Sequence, residues 1–393
     1  MTRTVAVVTP WYPTRLLPFR GAFVQAMVEA TAPGVDRMTV IHGDRWSAKV
    51  SPAEDEAIGR AHLALLPRVA RTSTTVGGAE LMYLPVPMPA ETGFAPTAVR
   101  HEATLRAALN GGTIDAAVVH VHEALPSGWA VLDHLRPETR LFVTEHASFL
   151  ERLLDEPDAR AMYDRVLQRC EGLFVVGDGT RDILLKALPQ HADKVSLVPN
   201  PVSFEQPRPA PVTELRRWLF LGGLIPRKGV HWLLEAFAKC RAEDPALSLT
   251  IVGDGELGGS LRRRAEELGL RESVTFAGSV GPEVALRLMR EHDLLVHPSR
   301  WESFGVTVIE AVAAGMPVLV TRCGGPEETL AGIEDAAGEL VAVEESDASL
   351  VAGYRRLRER FPDGLDLARA QQVLNERYGY PAVARIHHRV WFE

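Results

Sequence analysis

The sequence predicts an α/β protein with two doubly wound parallel sheets, one after the other. Three observations carry this. Short apolar runs alternate with helical stretches along nearly the whole chain, and such runs read as strands buried on both faces of a parallel sheet. The alternation breaks once, at a proline-crowded segment, and then restarts. The length of 393 residues suits about two domains at roughly 150 residues each.

The first domain reads as strands at Val5–Val8, Met38–Ile41, Ala116–Val121, Leu141–Val143 and Leu173–Val176, with helices at Ala22–Ala30, Gly128–Leu135, Arg160–Arg169 and Thr180–Leu188. That order means a doubly wound sheet. Residues 43–110 follow no clear period and include an expected polar loop near Arg71–Gly78. Pro199, Pro201, Pro207, Pro209 and Pro211 then crowd one short span; proline blocks both helix and central strand, so this is a linker. Beyond it come strand Trp218–Leu221, helix Val230–Arg241, strand Leu247–Val252, helix Leu261–Leu268, strand Val274–Ala277, helix Pro282–Glu291 and strand Leu294–Val296. A helix holding Glu310 and a strand Val318–Thr321 follow, and the tail from Leu365 is helical, ending with Val383–Phe392. The expected domains are residues 1–200, residues 201–375 and a C-terminal helix at 376–393 that packs back on the first domain. No short repeat is present. Ligands of such sheets bind beyond the carboxyl ends of the strands, and with two domains facing each other the cleft between them is the expected site.

Apolar residues make up 46% and charged residues 24%, as in ordinary globular proteins. A net charge of −8 argues against nucleic acid as a partner, since a phosphate backbone selects a basic face. Cys170, Cys240 and Cys323 are odd in number, far apart and without metal spacing, which fits buried thiols in a reducing cytoplasm. No apolar run reaches the roughly 18 residues of a spanning helix, and the N-terminus enters a strand at Thr4–Val8 without a signal-like region. A cytoplasmic protein is expected.

One stretch is richest in chemistry. Arg300-Trp301-Glu302-Ser303-Phe304-Gly305-Val306-Thr307-Val308-Ile309-Glu310 places two carboxylates seven residues apart around a glycine-opened helix start. Such a start offers unpaired N–H groups and a positive dipole end to a phosphate, while the acids suit hydroxyl groups. Two solvated helix carboxylates are the plain alternative. A second stretch, Phe220-Leu221-Gly222-Gly223-Leu224-Ile225-Pro226-Arg227-Lys228-Gly229, runs from a strand through a glycine pair to a basic pair. Glycines admit a ligand to the backbone, and Arg227 and Lys228 are placed to balance a diphosphate leaving group, unless they are only an exposed turn. His120 and His122 share one strand face, but no further ligands suggest a metal. Gly253-Asp254-Gly255-Glu256-Leu257-Gly258 spells a dinucleotide motif, yet the next strand ends at Phe276-Ala277-Gly278 without the required acid, so it reads as a turn.

The Glu302–Glu310 stretch, with Ala313-Ala314-Gly315-Met316-Pro317 after it, resembles the E-x7-E signature of retaining GT-B glycosyltransferases of family 4 type. The glycine–basic stretch is similar to that family's phosphate loop: Lys228 matches, while Gly223 stands where the family has an arginine. Arg322-Cys323-Gly324-Gly325-Pro326-Glu327-Glu328 is similar to its glycine pair followed by an acid, Gly21 falls in its acceptor loop, and His146 matches its strand-end histidine. The resemblance covers most of the chain, most strongly from 218 to 330. It implies a GT-B fold and metal-independent transfer of a sugar from a nucleotide-diphosphate sugar, a UDP-sugar being the expected donor, with no other cofactor. It implies catalytic roles for His146, Lys228 and Glu302, and donor contacts from Gly21, Gly222, Gly223, Arg227, Lys228, Glu302, Ser303, Phe304, Gly305, Val306 and Glu310. Glu310 would hold the ribose, Glu302 the sugar hydroxyls. No acid is placed as a nucleophile, so front-face substitution is expected. The short basic–apolar run Arg15–Arg20 is too weakly charged for a membrane anchor, so the expected acceptor is a small soluble sugar, cyclitol or natural-product intermediate, lining up with Thr9–Gly21 and segment 43–110. A lipid-linked or cell-envelope acceptor, a sugar-nucleotide epimerase and a non-catalytic sugar-binding module are the alternatives.

Overall fold

The computed structural model describes residues 2–69, 72–74, 78–90 and 92–393. It divides into two compact units, one of Met1–Thr14, Arg20–Pro199 and Val383–Glu393, the other of Arg15–Phe19 and Asn200–Ala382.

In the first unit the order is β1 (Thr4–Thr9), α1 (Ala22–Thr31), β2 (Arg37–Ala48), α2 (Pro52–Val69), β3 (Thr72–Thr74), β4 (Glu80–Pro89), α3 (Phe94–Ala108), β5 (Val118–His122), α4 (Trp129–Val131), β6 (Arg140–Glu145), α5 (Leu150–Asp155), α6 (Pro157–Arg169), β7 (Gly172–Val175), α7 (Asp178–Ala187) and β8 (Val195–Leu197). The sheet order is β3-β4-β2-β1-β5-β6-β7-β8. All neighbours are parallel except β3 and β4. β1, β5, β6 and β7 are buried almost throughout, which is why they read as apolar runs.

Segment 43–110 is regular after all. β2 runs on to Ala48 and pairs with β4 from Thr39↔Glu80 to Ala48↔Pro89, with buried and half-buried side chains alternating along β4 rather than an apolar run. The loop expected near Arg71–Gly78 holds β3, antiparallel to β4, while residues 70, 71 and 75–77 lie outside the described residues. The helix expected at Gly128–Leu135 is broken into a turn at Ala124–Gly128, the single turn α4 and a tight turn at Leu132–His134. Gly128 sits so close to α6 that a Cβ there would lie 2.7 Å from Val166 Cγ1.

The second unit runs β9 (Arg217–Leu221), α8 (Val230–Glu243), β10 (Ser248–Val252), α9 (Gly258–Glu267), β11 (Val274–Gly278), α10 (Pro282–Glu291), β12 (Leu294–His297), α11 (Val306–Ala313), β13 (Val318–Thr321), α12 (Gly325–Thr329), α13 (Glu334–Ala337), β14 (Gly338–Val341), α14 (Ala348–Arg360) and α15 (Leu367–Tyr378). Its sheet is wholly parallel in the order β11-β10-β9-β12-β13-β14. Trp218, Phe220, Phe237, Ile251, Leu294 and Tyr354 fill its core.

The last helix, α16 (Tyr380–Phe392), ends in the first unit. There Trp391 is 1% exposed among Val5, Val7, Val118, Phe142 and Phe174. Its Nε1 donates to His120 Nδ1 at 3.0 Å, and its carbonyl accepts from Arg140 Nη1 at 2.8 Å.

Strand order reverses between β1 and β5 in the first sheet and between β9 and β12 in the second. A crevice opens at such a switch point, where the flanking connections diverge to opposite faces. Both places hold the residues that matter below.

Candidate functional site

At the second unit's switch point the loop after β9 and the loop after β12 are tied together. Arg300 N donates to Arg227 O at 2.8 Å. Gly229, which opens α8, has φ +65° and lies so near the other loop that a Cβ would stand 2.2 Å from Pro298 O; only glycine permits that approach. The loop after β12 is pinned on its other side to the loop after β13. Glu302 N donates to Cys323 O at 2.9 Å and Glu302 O accepts from Gly325 N at 2.9 Å.

This scaffold gathers four polar side chains. Lys228 Nζ donates to Glu302 Oε1. His297 Nε2 lies 2.9 Å from the same oxygen. Arg227 Nη1 reaches Glu302 Oε2 at 3.4 Å and Trp301 O at 2.5 Å. Its guanidinium carbon is 5.5 Å from the Trp301 ring centroid. Burial alone would push the Glu302 carboxyl up. The His297 hydrogen bond and the Lys228 charge outweigh it and hold the group well below the usual carboxylate range. Burial lowers His297, only partly countered by Glu302. The result is a buried carboxylate that keeps two cations at one spot, because charge removed from water needs a partner. Sequence reasoning treated Lys228 and Glu302 as separate contacts; the structure makes them an ion pair.

The neighbouring residues fall around this cluster. Gly222 lies against the Phe220 ring, and a Cβ on it would be 3.8 Å from Lys228 Cε. Gly223 stands free: a Cβ there would meet nothing nearer than Asp254 O at 4.0 Å. Ser303 is half-buried, Phe304 is buried edge-on to Tyr378 at 5.3 Å, and Gly305 precedes Val306, the first residue of α11. Glu310 is half-buried one turn further along, and burial pushes its carboxyl up to about 7. The segment Arg322–Glu328 forms the turn and start of α12, with Gly324 N donating to Glu327 Oε2 at 3.0 Å.

The remaining two predicted residues belong to the first unit. Gly21 precedes α1 with φ +72°, and a Cβ on it would lie 2.3 Å from Trp11 C. The turn from β1 to α1 therefore packs on itself through this glycine. His146 follows β6. Its Nε2 lies 2.8 Å from His122 Nδ1, its ring packs on Phe23 with centroids 4.5 Å apart, and burial lowers it to about 3. The ring is neutral and held from two sides. His120 and His122 are a packed pair, with ring centroids 5.3 Å apart. Among the described residues no group of three or more His, Cys, Asp or Glu is placed to hold a metal. No helix there is long and apolar enough to cross a membrane. Cys170, Cys240 and Cys323 are buried free thiols.

Sequence reasoning missed His297 and Glu123. His297 ends β12 as the polar terminus of an apolar run, which was a usable signal. Glu123 follows β5 with φ +68°, unusual for a residue with a side chain, and accepts from Trp11 Nε1 at 2.8 Å. Nothing in the sequence marks its backbone.

Comparison with known proteins then decides the family. The model described as Glycosyltransferase Family 4 matches residues 54–206, and that for Glycosyl transferases group 1 matches residues 204–360. The chain belongs to glycosyltransferase family 4. A D-inositol 3-phosphate glycosyltransferase from Segniliparus rotundus is 31% identical over 229 residues, 53% of this chain and 49% of that protein. The mannosylfructose-phosphate synthase of Agrobacterium fabrum is 36% identical over 115 residues, 27% of this chain and 25% of that protein. The chain thus spans about half or less of the length of the curated relatives it matches. Sucrose-phosphate synthase from Thermosynechococcus elongatus aligns over 99% of this chain and 98% of its own, with a TM-score of 0.75 at 17% identity. Anabaena HepE in complex with UDP-glucose aligns over 98% of both chains, with a TM-score of 0.68 at 15% identity. The family-4 chain accordingly has the GT-B fold.

Proposed function

We propose that this protein is a retaining glycosyltransferase that moves a sugar from a nucleotide-diphosphate sugar to a hydroxyl group of a small acceptor. The observation that carries this is the Lys228–Glu302–Arg227–His297 cluster at the β9/β12 switch point, beside the glycine-led start of α11. A diphosphate leaving group needs cations that are already in place when its charge grows, since a preorganised charge requires no rearrangement at that moment. Glu302 supplies the preorganisation for Lys228, and its remaining acceptor capacity is assigned to sugar hydroxyls. Arg227 takes the part of the arginine that the family pattern has where Gly223 stands. The first-turn N–H groups after Gly305 are assigned to phosphate and sugar, and Glu310 to the ribose. In the first unit, neutral His146 is assigned to the transferred sugar as a hydrogen-bonding group, and Gly21 to the acceptor loop.

The step is a front-face substitution. The bond from the anomeric carbon to the phosphate oxygen breaks, the acceptor oxygen bonds to the same face, and the acceptor proton passes to the departing phosphate oxygen. A UDP-sugar is the donor we favour, since HepE is a fold neighbour seen with UDP-glucose. The acceptor is assigned as a small soluble molecule in the cytoplasm. The experiment is a panel of nucleotide sugars, with donor consumption and the anomeric configuration of the product read by NMR, run with and without excess EDTA. Donor consumption with retained configuration in both conditions is expected. Inverted product or loss of turnover in chelator refutes the mechanism, and isomerisation of the donor alone would make the protein an epimerase.

A further inference from the structure

Glu302 is held at its backbone and at its carboxylate, and the two holds differ in kind. The bonds to Cys323 O and from Gly325 N, both 2.9 Å, fix the main chain and leave the side chain free to turn. Its direction is set by what touches its oxygens. Lys228 Nζ and His297 Nε2 share Oε1, and Arg227 Nη1 lies 3.4 Å from Oε2. Lys228 and Arg227 are not the constant part of that grip. Both end long, rotatable stems on the short turn Pro226–Lys228, and both are assigned above to the leaving phosphates. A diphosphate that draws on their protons loosens their hold on the carboxylate.

His297 is built differently. It closes β12, where it pairs with Val320 of β13, and is 1% exposed. Its ring lies nearly parallel to that of Phe220, with centroids 6.3 Å apart and planes 15° apart. A ring so enclosed touches no ligand. Nε2 also lies 3.1 Å from the buried Ser299 Oγ, while Nδ1 is buried and has no hydrogen-bond partner among the described residues. A carboxylate oxygen only accepts, so Nε2 carries the ring's proton and donates it. The charged groups facing the ring are Glu302, Lys228 and Arg227. Burial and the two cations keep it neutral, and a second proton would leave a buried N–H at Nδ1 with nothing to accept it. The ring's one N–H is therefore directed at Glu302, and it is the largest of the influences that keep that carboxyl ionised.

We propose that His297 is the positioning residue of the sugar site: through Nε2–H it keeps the Glu302 carboxylate aimed at the donor's sugar hydroxyls while Lys228 and Arg227 serve the phosphates. Recognition of the donor sugar then depends on a side chain that touches no ligand. The proposal deepens the glycosyltransferase reading and rests on it for the words donor and sugar; the hold on Glu302 stands on the hydrogen bond alone.

Crystal structures, and calorimetry with UDP and UDP-glucose, test it on the intact protein, H297Q and H297N. Glutamine places an amide N–H near the position of Nε2; asparagine is too short to reach Glu302. In the parent with UDP-glucose bound, the His297–Glu302 bond should persist while Lys228 turns to the phosphates. In H297N the Glu302 carboxylate should shift by about 1 Å, a displacement large enough to matter at a reacting centre. UDP-glucose should bind H297N roughly tenfold more weakly or worse, the loss of one charged hydrogen bond, while UDP stays within about twofold of the parent. H297Q should hold the carboxylate and keep most of the affinity for UDP-glucose. A histidine needed only for folding would weaken both ligands alike. A broken His297–Glu302 bond in the parent complex, an unmoved carboxylate in H297N, equal weakening of UDP and UDP-glucose, or an H297Q no better than H297N overturns the proposal. A parent that binds neither ligand refutes the donor reading instead, and the position of Glu302 in H297N then decides the role of His297 on its own.

Discussion

Replacing Lys228 with alanine separates a catalytic cation from a structural one. Both side chains of the Lys228–Glu302 pair are largely out of water, at 14% and 10% exposure. Removing one partner of a buried pair typically costs about 3–5 kcal/mol, because the other charge is stranded. Glu302 is not stranded here: His297 remains at 2.9 Å and Arg227 at 3.4 Å. The loss of stability should therefore fall to about 2 kcal/mol, near that of a single charged hydrogen bond. With Lys228 in its proposed role beside the leaving group, turnover should fall further, by roughly 10²–10³ in kcat or about 3–4 kcal/mol. The K228A/E302Q double variant also removes the carboxylate that His297 and Arg227 still hold in K228A, so it should regain neither stability nor turnover. Urea midpoints and kcat at saturating donor, measured on the two single variants and the double, give the full cycle. Turnover in K228A within about threefold of the parent, or turnover that returns with stability in the double variant, refutes the leaving-group role.

Glu310 gives a pH signature. Its carboxyl, raised to about 7 from 4.5 by burial, is neutral below that value and charged above it, and a charged carboxylate accepts ribose hydroxyls better. Affinity for UDP-glucose, whose phosphates do not titrate there, should rise from pH 6 to pH 8, and E310Q should bind more weakly without that rise; calorimetry at three pH values checks it. The same shift has a cost in the free protein. A carboxyl raised on folding contributes stability that is present below pH 4.5 and lost as pH passes 7, so E310Q should gain urea resistance over the parent at pH 8 and not at pH 4.5. Gly21→Ala should destabilise the first unit by about 2 kcal/mol or more, through a strained φ and a clash with the Trp11 backbone; an unchanged urea midpoint would show that the turn can open.

The doubly wound architecture was legible because its central strands are buried on both faces, so their apolar runs and the helices between them stand out. β4 and the half of β2 beyond Ile41 were hidden for the opposite reason: they alternate, and proline recurs along β4 at Pro85, Pro87 and Pro89. The helix expected at Gly128–Leu135 starts under a tertiary constraint, the contact of Gly128 with Val166, that the sequence does not show. At the site, Lys228, Glu302 and Glu310 were legible from motif spacing. Their pairing was not, because it depends on three loops tied through Arg300, Glu302 and Gly325, distant in sequence. Arg20, Arg45 and Arg152, which line one cavity of the first unit, could not be grouped from the sequence for the same reason: they lie before α1, in β2 and in α5, and only the fold brings them together.

Trp391 lies in the same core cluster as Val5, which has a consequence for biosynthesis. Ribosomes add roughly 5–20 residues per second, and domains tend to fold in order of emergence. Here the part translated first cannot close its interior until the final helix has left the exit tunnel, whereas the core residues of the second unit, from Val212 to Leu357, are all available earlier. For some tens of seconds the nascent first sheet carries an uncovered apolar face where Trp391 will dock. Chaperone dependence during synthesis, and sensitivity to stop codons within the last dozen positions, should therefore be properties of the N-terminal half.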